Sequence, residues 1–192
     1  TSRVAVSDTS LKRGGPNEKH DLNHLPLEDC IQLLQNLGVK GTRADLKTAS
    51  LEYKRHAYSL ALLAHALSRD FLGDIRRRDR IVVDGVVPGL PLSALLKWYE
   101  NNVSEPCIRF LKYACLFRGS ASINDIAAVM ERVGHTQIPD VFTTRTAVSV
   151  LAELRSMGLL FVDSIAIRMS TQCDLHPLIR EYFYKLLLNP KE

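Results

Sequence analysis

Long apolar runs are missing from this sequence of 192 residues, although 46% of its residues are hydrophobic. A membrane-spanning helix needs about 18 or more consecutive apolar residues, and a signal peptide needs an apolar segment near its start. Residues 1–20 are instead polar and contain lysine. We therefore expect a soluble, globular protein of the cytoplasm, with enough apolar side chains for a packed core.

Cysteine and histidine occur without the spacing of a metal site. The sequence has no C-x-x-C pair and no H-E-x-x-H motif, and it also lacks the G-x-S-x-G elbow of a serine hydrolase. The cysteines are therefore predicted to be buried free thiols, and no metal ligand, catalytic residue or independent enzyme is expected. The residues concerned are Cys30, Cys107, Cys115 and Cys173, and His20, His24, His56, His65, His135 and His176.

A phosphate-binding loop is absent as well. No G-x-x-x-x-G-K-[ST] motif is found, and no apolar strand ending in paired acids precedes Thr1. The groups that cradle phosphate and hold magnesium in ATPases are therefore missing, and this chain is not expected to hydrolyse ATP alone. The formal net charge of +4 is mild, so it does not demand a nucleic-acid partner.

The first half of the sequence has the pattern of a small helical bundle. Pro26 and Gly38 bracket one apolar stripe, and Thr42 with Asp45 forms a capping-box pattern before a second helix. A third, alanine-rich helix is predicted at 57–72, where other helices can approach closely. The basic segment at 74–80 invites a nucleic-acid interpretation. The preferred interpretation is a link between helical units, since the segment also contains two aspartates and has no aromatic side chain for stacking.

The second half has a different pattern. Helices are predicted at 91–102, after Ser104, after Ser122 and before Gly158. The β-favouring runs 159–162 and 165–169 then flank Asp163-Ser164, which predicts a hairpin with a two-residue connection. A helix begins near His176 and Pro177, where free N–H groups favour phosphate. These elements predict a mainly α protein in which a helical bundle precedes a winged-helix domain with a short β-hairpin wing.

Four stretches form a distinctive combination: Thr1-Ser2-Arg3, 25–41, 55–62 and Leu175-His176-Pro177. Together they resemble the C-terminal part of the nucleotide-binding core of STAND-class NTPases, which are related to AAA+, NB-ARC and NACHT proteins. The resemblance covers essentially the whole chain. It implies the end of a sensor strand and a loop at 1–20, a helical lid domain at 21–85, and a winged-helix domain at 86–192.

This resemblance implies nucleotide contacts for four residues. Arg3 would face the terminal phosphate, and His176 would contact the β-phosphate of ADP in the closed state. Tyr58 and Ser59 fall at the adenine contact, where Ser59 replaces a proline that packs on the base. The sequence departs from the family pattern at Ala57, which replaces a glycine, and at Pro177, which replaces an acidic residue.

The function that the resemblance implies is a regulatory lid and winged helix that close over bound ADP or ATP and control a nucleotide-dependent oligomerisation switch. Magnesium and the phosphate loop would come from an N-terminal domain of the same protein, since Thr1 to Arg3 look like the cut end of something larger. A C-terminal repeat sensor domain and self-association on activation are expected. Neither a membrane nor a nucleic acid is an expected partner.

The alternative interpretation is a winged-helix transcriptional regulator that binds DNA. Its recognition helix would lie at 143–157 and would present Thr143, Thr144, Arg145 and Arg155. Only two of these side chains are basic, and the predicted wing tip contains Asp163, which phosphate groups would repel.

Overall fold

Helices form most of the chain in this computed structural model, which describes residues 24–81, 91–133, 144–162, 168 and 170–188. Within these ranges the protein is mainly helical and has one small antiparallel sheet of three strands. The predicted sensor-strand end and loop, with Arg3, lie outside the described residues. The predicted domain boundary near residue 85 lies outside them too.

The first half of the chain has the helix ends that the sequence predicts. Thr42 forms a complete capping box, because the Asp45 N–H donates to Thr42 Oγ1 and the Thr42 N–H donates to an Asp45 carboxylate oxygen. Gly38 ends the first helix with a φ of +84°, a left-handed conformation that favours glycine. The elements are α1 (Leu27–Asn36), α2 (Arg43–Glu52), α3 (Ala57–Asp70) and a 3₁₀ helix (Ile75–Ile81).

Helix α3 lies at the centre of the structure. Its buried face includes Leu60, Leu63 and Leu67, and the helix packs against α1, the 3₁₀ helix and the helix at 91–102. The basic segment at 74–80, which was predicted to be a link, forms most of the 3₁₀ helix that follows α3. Ile75 and Ile81 of this helix are buried in the core, whereas Arg76, Arg77 and Arg80 are exposed.

The second half begins and ends its helices near the predicted positions. Ser104 stands before a helix as predicted, but its hydroxyl donates to Glu153 at 2.8 Å and makes no cap. Gly158, with a φ of +68°, follows the helix that it was predicted to end. The elements are α4 (Pro91–Asn102), α5 (Glu105–Ala114), α6 (Ile123–Val133), α7 (Thr144–Ser156) and α8 (Pro177–Leu188).

The sheet corrects the predicted hairpin. Its strands are β1 (Ala121–Ser122), β2 (Phe161–Val162) and β3 (Gln172–Asp174), in the order β1-β3-β2. Val162 pairs with Cys173, so a two-residue connection at Asp163-Ser164 does not close this ladder. Cys173 is the buried residue of β3, and a shift of one residue would turn it toward solvent. The predicted connection itself lies outside the described residues.

One continuous core joins both halves of the described chain. Tyr99 of α4 is fully buried and donates its hydroxyl proton to the Leu62 carbonyl of α3 at 2.8 Å. All four cysteines are buried free thiols, as predicted. Among the described helices, none is long and apolar enough to cross a membrane.

Candidate functional site

Two helix starts with histidine caps meet at one point of the structure. His56 precedes α3, and its Nδ1 accepts the backbone N–H of Ser59 at 3.3 Å. His176 precedes α8, and its Nδ1 accepts the backbone N–H of Leu178 at 3.2 Å. A backbone N–H only donates, so Nδ1 of both rings carries no proton. Each neutral ring therefore carries its hydrogen on Nε2, which is a donor.

Tyr58 brings the two histidines together. Its ring stacks on His176 with a centroid separation of 3.8 Å and an interplanar angle of 15°. His56 meets His176 edge to face at 6.1 Å, and Phe161 of β2 lies 6.0 Å from Tyr58. Residues from α3, β2 and the start of α8 thus form one aromatic cluster, which we call the histidine cluster: His56, Tyr58, Phe161 and His176.

The phenol of Tyr58 fixes this cluster to the end of α7. Its hydroxyl donates to the Gly158 carbonyl at 2.9 Å. Burial raises the pKa of Tyr58 far above its usual value, so the phenol keeps its proton and remains a donor. The Tyr58 ring is therefore held in place from both sides, by a hydrogen bond at its tip and by His176 at its face.

The electrostatics of the cluster suit an anion. Burial lowers the pKa of His176, and the neighbouring His56 lowers it further, so the ring is mainly neutral near pH 7. The starts of α3 and α8 carry the positive ends of their helix dipoles. At α8, however, Pro177 has no N–H, and the N–H groups of Leu178, Ile179 and Arg180 are already bonded to His176. A neutral Nε2–H donor between two helix starts would fit a phosphate oxygen, and the charge of that phosphate would favour protonation of His176.

The residues that the resemblance selected have different environments here. Tyr58 and His176 are in direct contact. Ser59 is 3% exposed, and its hydroxyl lies 3.1 Å from His56 Nδ1. Its geometry is that of a residue that supports His56, and it does not favour the predicted direct contact with adenine. Arg3 lies outside the described residues.

Sequence reasoning missed His56 and Phe161 as members of the cluster. His56 immediately precedes the predicted start of α3, and histidine at that position can cap the helix. This local signal was present in the sequence, but nothing local indicates that the capping ring also meets His176. Phe161 was assigned only to a strand, and its contact with Tyr58 depends on tertiary packing.

The alternative DNA-binding surface is only partly described. Helix α7 packs against α5 through its buried side, and Arg145 and Arg155 are exposed. Thr143 and the predicted wing tip lie outside the described residues.

No family of known proteins matches the chain, and no curated protein shows significant similarity to it. Among the described residues, no group of three or more histidine, cysteine or acidic side chains is placed to hold a metal ion. The histidine cluster is the candidate functional site because two helix caps and a stacked tyrosine from distant parts of the chain meet there.

Proposed function

We propose that this chain is the lid and winged-helix portion of a STAND-class NTPase, and that His176 is the latch between the two parts. The observation that carries the proposal is the contact of Tyr58 with His176. The resemblance assigns Tyr58 to the lid and His176 to the winged helix, and their rings stack at 3.8 Å although they are far apart in sequence.

The order of elements in the second half supports the winged-helix part of the proposal. Helix α5 is followed by β1, α6, α7, β2 and β3, and β3 lies between the other two strands. Helix α8 then returns to pack on α5, with Ile179 and Phe183 fully buried. The start of α8 is thereby held by the second half, while His176 reaches Tyr58 of the first half.

In the proposed closed state, His176 donates its Nε2–H to a terminal phosphate oxygen of ADP. Tyr58 holds the ring by stacking, Leu178 N–H holds its Nδ1, and the starts of α3 and α8 contribute positive charge. An N-terminal domain with a phosphate loop would bind the rest of the nucleotide and magnesium. Exchange of ADP for ATP would weaken this contact and free the two parts to move, which is a population shift that permits oligomerisation.

Substitution of His176 in the full-length protein tests the proposal by calorimetric titration with ADP. The informative variant is His176→Asn, since an asparagine oxygen can still cap α8 while its short side chain loses the distal donor. We expect His176→Asn to weaken ADP binding by about 1 kcal/mol or more, roughly fivefold, because one phosphate hydrogen bond is lost.

His65 of α3 provides the matched control. His65 is half-buried like His176 but lies outside the histidine cluster, so His65→Asn should leave ADP affinity nearly unchanged. Equal affinity of the wild type and His176→Asn would contradict the latch. His176 would then be only a helix cap, and the contact between the two halves would need another explanation.

A further inference from the structure

A second site lies at the opposite end of α3 from the histidine cluster. An open cleft of about 710 Å³ lies between Lys40, the end of α3 and the 3₁₀ helix. Helix α3 has 14 residues, so the cleft is ~20 Å from His56 along the helix axis at 1.5 Å per residue. The cleft is thus separate from the proposed nucleotide contact.

Most of the charged side chains that line the cleft are basic, and some of them form no direct ion pair within the described residues. The two carboxylates in its wall are already paired: Asp70 accepts from Arg69 at 3.1 Å, and Asp74 accepts two bonds from Arg76. These bonds hold the pKa of Asp74 below its usual value, so it stays ionised and engaged. Lys40, Arg77 and Arg80 also line the cleft and form no direct ion pair within the described residues, although the charge of Arg77 helps to lower the pKa of Asp74.

The spacing of the two arginines is set by the 3₁₀ helix. Arg77 and Arg80 are three residues apart, so they lie on the same side of that helix and ~6 Å apart along its axis. Alternate side chains of an extended peptide are spaced by nearly the same distance, ~6.7 Å. A guanidinium binds a carboxylate through two parallel hydrogen bonds. Two carboxylates on one edge of an extended segment would therefore meet one arginine each.

The wall of the cleft also includes an apolar residue, Leu72, to which a small anion would have no reason to bind. Leu72 is 84% exposed, and its φ of 53° places it on a tight turn between α3 and the 3₁₀ helix. Backbone hydrogen bonds from Lys40 to Gly73 and from Ile75 to Lys40 fix this turn. The neighbouring Phe71 also lines the cleft and is partly buried against the core, so it adds a second apolar side chain there.

We propose that this cleft binds an extended acidic peptide segment of a protein partner. Arg77 and Arg80 each bind a carboxylate, Lys40 adds positive charge, and Leu72 contacts an apolar side chain of the segment. The apolar side chains of Leu72 and Phe71 beside the arginines favour a peptide over a nucleic acid. The proposal does not depend on the nucleotide function proposed above.

Fluorescence anisotropy with a labelled peptide of alternating glutamate and leucine, at low salt, tests this site. The informative variant is Arg77→Gln with Arg80→Gln, and the matched control is Arg118→Gln with Arg132→Gln, two exposed arginines after α5 and in α6. Both pairs remove two positive charges. We expect the cleft variant to bind about tenfold more weakly and the control to change less than about twofold, because screened exposed charges contribute little at a distance.

Two further measurements decide the nature of the ligand. Leu72→Ser should weaken the binding of the peptide and leave the binding of an oligo-dT strand of equal charge unchanged. Equal weakening by the cleft and control variants would overturn the proposal, since it would reflect net charge alone. Tighter binding of oligo-dT than of the peptide, through Arg77 and Arg80, would also overturn the proposal, because it would indicate a nucleic-acid ligand. The absence of peptide binding at low salt would overturn it as well. Circular dichroism confirms that these exposed substitutions leave the fold intact.

Discussion

At the scale of single residues, His176 combines a capping role with an unusual environment. Its Nδ1 accepts a backbone N–H, one face stacks on Tyr58, and His56 approaches it from another element. Each of these contacts is compatible with a neutral ring, and burial disfavours the charged one. Protonation of His176 therefore acts against the contact between α3 and α8 when no anion is bound.

The stability of the free protein should consequently fall in mild acid. The pKa of His176 is lowered in the folded state, so below the unfolded value of about 6.5 the unfolded chain binds more protons than the folded chain. The free energy of unfolding should be highest above about pH 7 and should decline as the pH falls through 6.5 toward the folded pKa. Urea unfolding at a series of pH values measures this slope.

His65 contributes in the same direction, because burial lowers its pKa as well. The decline of the unfolding free energy with falling pH should therefore be smaller in His176→Asn than in the wild type, but it should not vanish. His65→Asn should remove a further part of this decline. An unchanged slope in His176→Asn would show that protonation of this ring has no influence on folding.

At the scale of elements, the end of α7 packs closely against α3 and accepts a hydrogen bond from Tyr58. Gly158 has a φ of +68°, and a side chain there would place its Cβ 2.8 Å from His65 Cδ2. Its carbonyl also accepts the Tyr58 hydroxyl. The glycine thus allows α7 to end against α3 and positions the acceptor that anchors Tyr58.

Gly158→Ala should destabilise the protein by ~1–3 kcal/mol, because it adds left-handed backbone strain and crowds His65. Gly119→Ala is the control, since no positive φ and no neighbour within 4 Å are found at Gly119. The free energy of unfolding in urea measures both variants. A cost at Gly158 no larger than that at Gly119 would contradict the close approach of α7 to α3.

At the scale of the whole molecule, α3 and α4 join the two halves. Trp98, the single tryptophan of the sequence, is 5% exposed in α4, and the Arg69 guanidinium of α3 lies 5.7 Å from its ring. Tyr99 of α4 donates to α3 as well. The tryptophan therefore reports on the junction between the halves.

This packing predicts cooperative unfolding of the described parts. Trp98 fluorescence, which reports the junction, and far-UV circular dichroism, which reports all helices, should follow the same urea transition. Tyr99→Phe should shift both curves together by ~1 kcal/mol, because it removes one buried hydrogen bond. A fluorescence transition at lower urea than the dichroism transition would instead show that the halves separate before they unfold.

The histidine cluster was predictable only in part. His176 and Tyr58 were selected through a resemblance, and the structure brings their rings into contact. No sequence pattern related His56 to His176 or showed that Ser59 is buried beneath His56. Such contacts join residues far apart in the chain, and periodicity carries no information about them.

The sequence by itself determined the local events. Thr42 and Asp45 cap α2, and Gly38 and Gly158 allow the left-handed turns after α1 and α7, because helix ends must satisfy their own free N–H and C=O groups with nearby residues. Only the tertiary structure decided that Val162 pairs with Cys173 and that the starts of α3 and α8 meet. Burial of the shared core selects these long-range partners, and that selection depends on all elements at once.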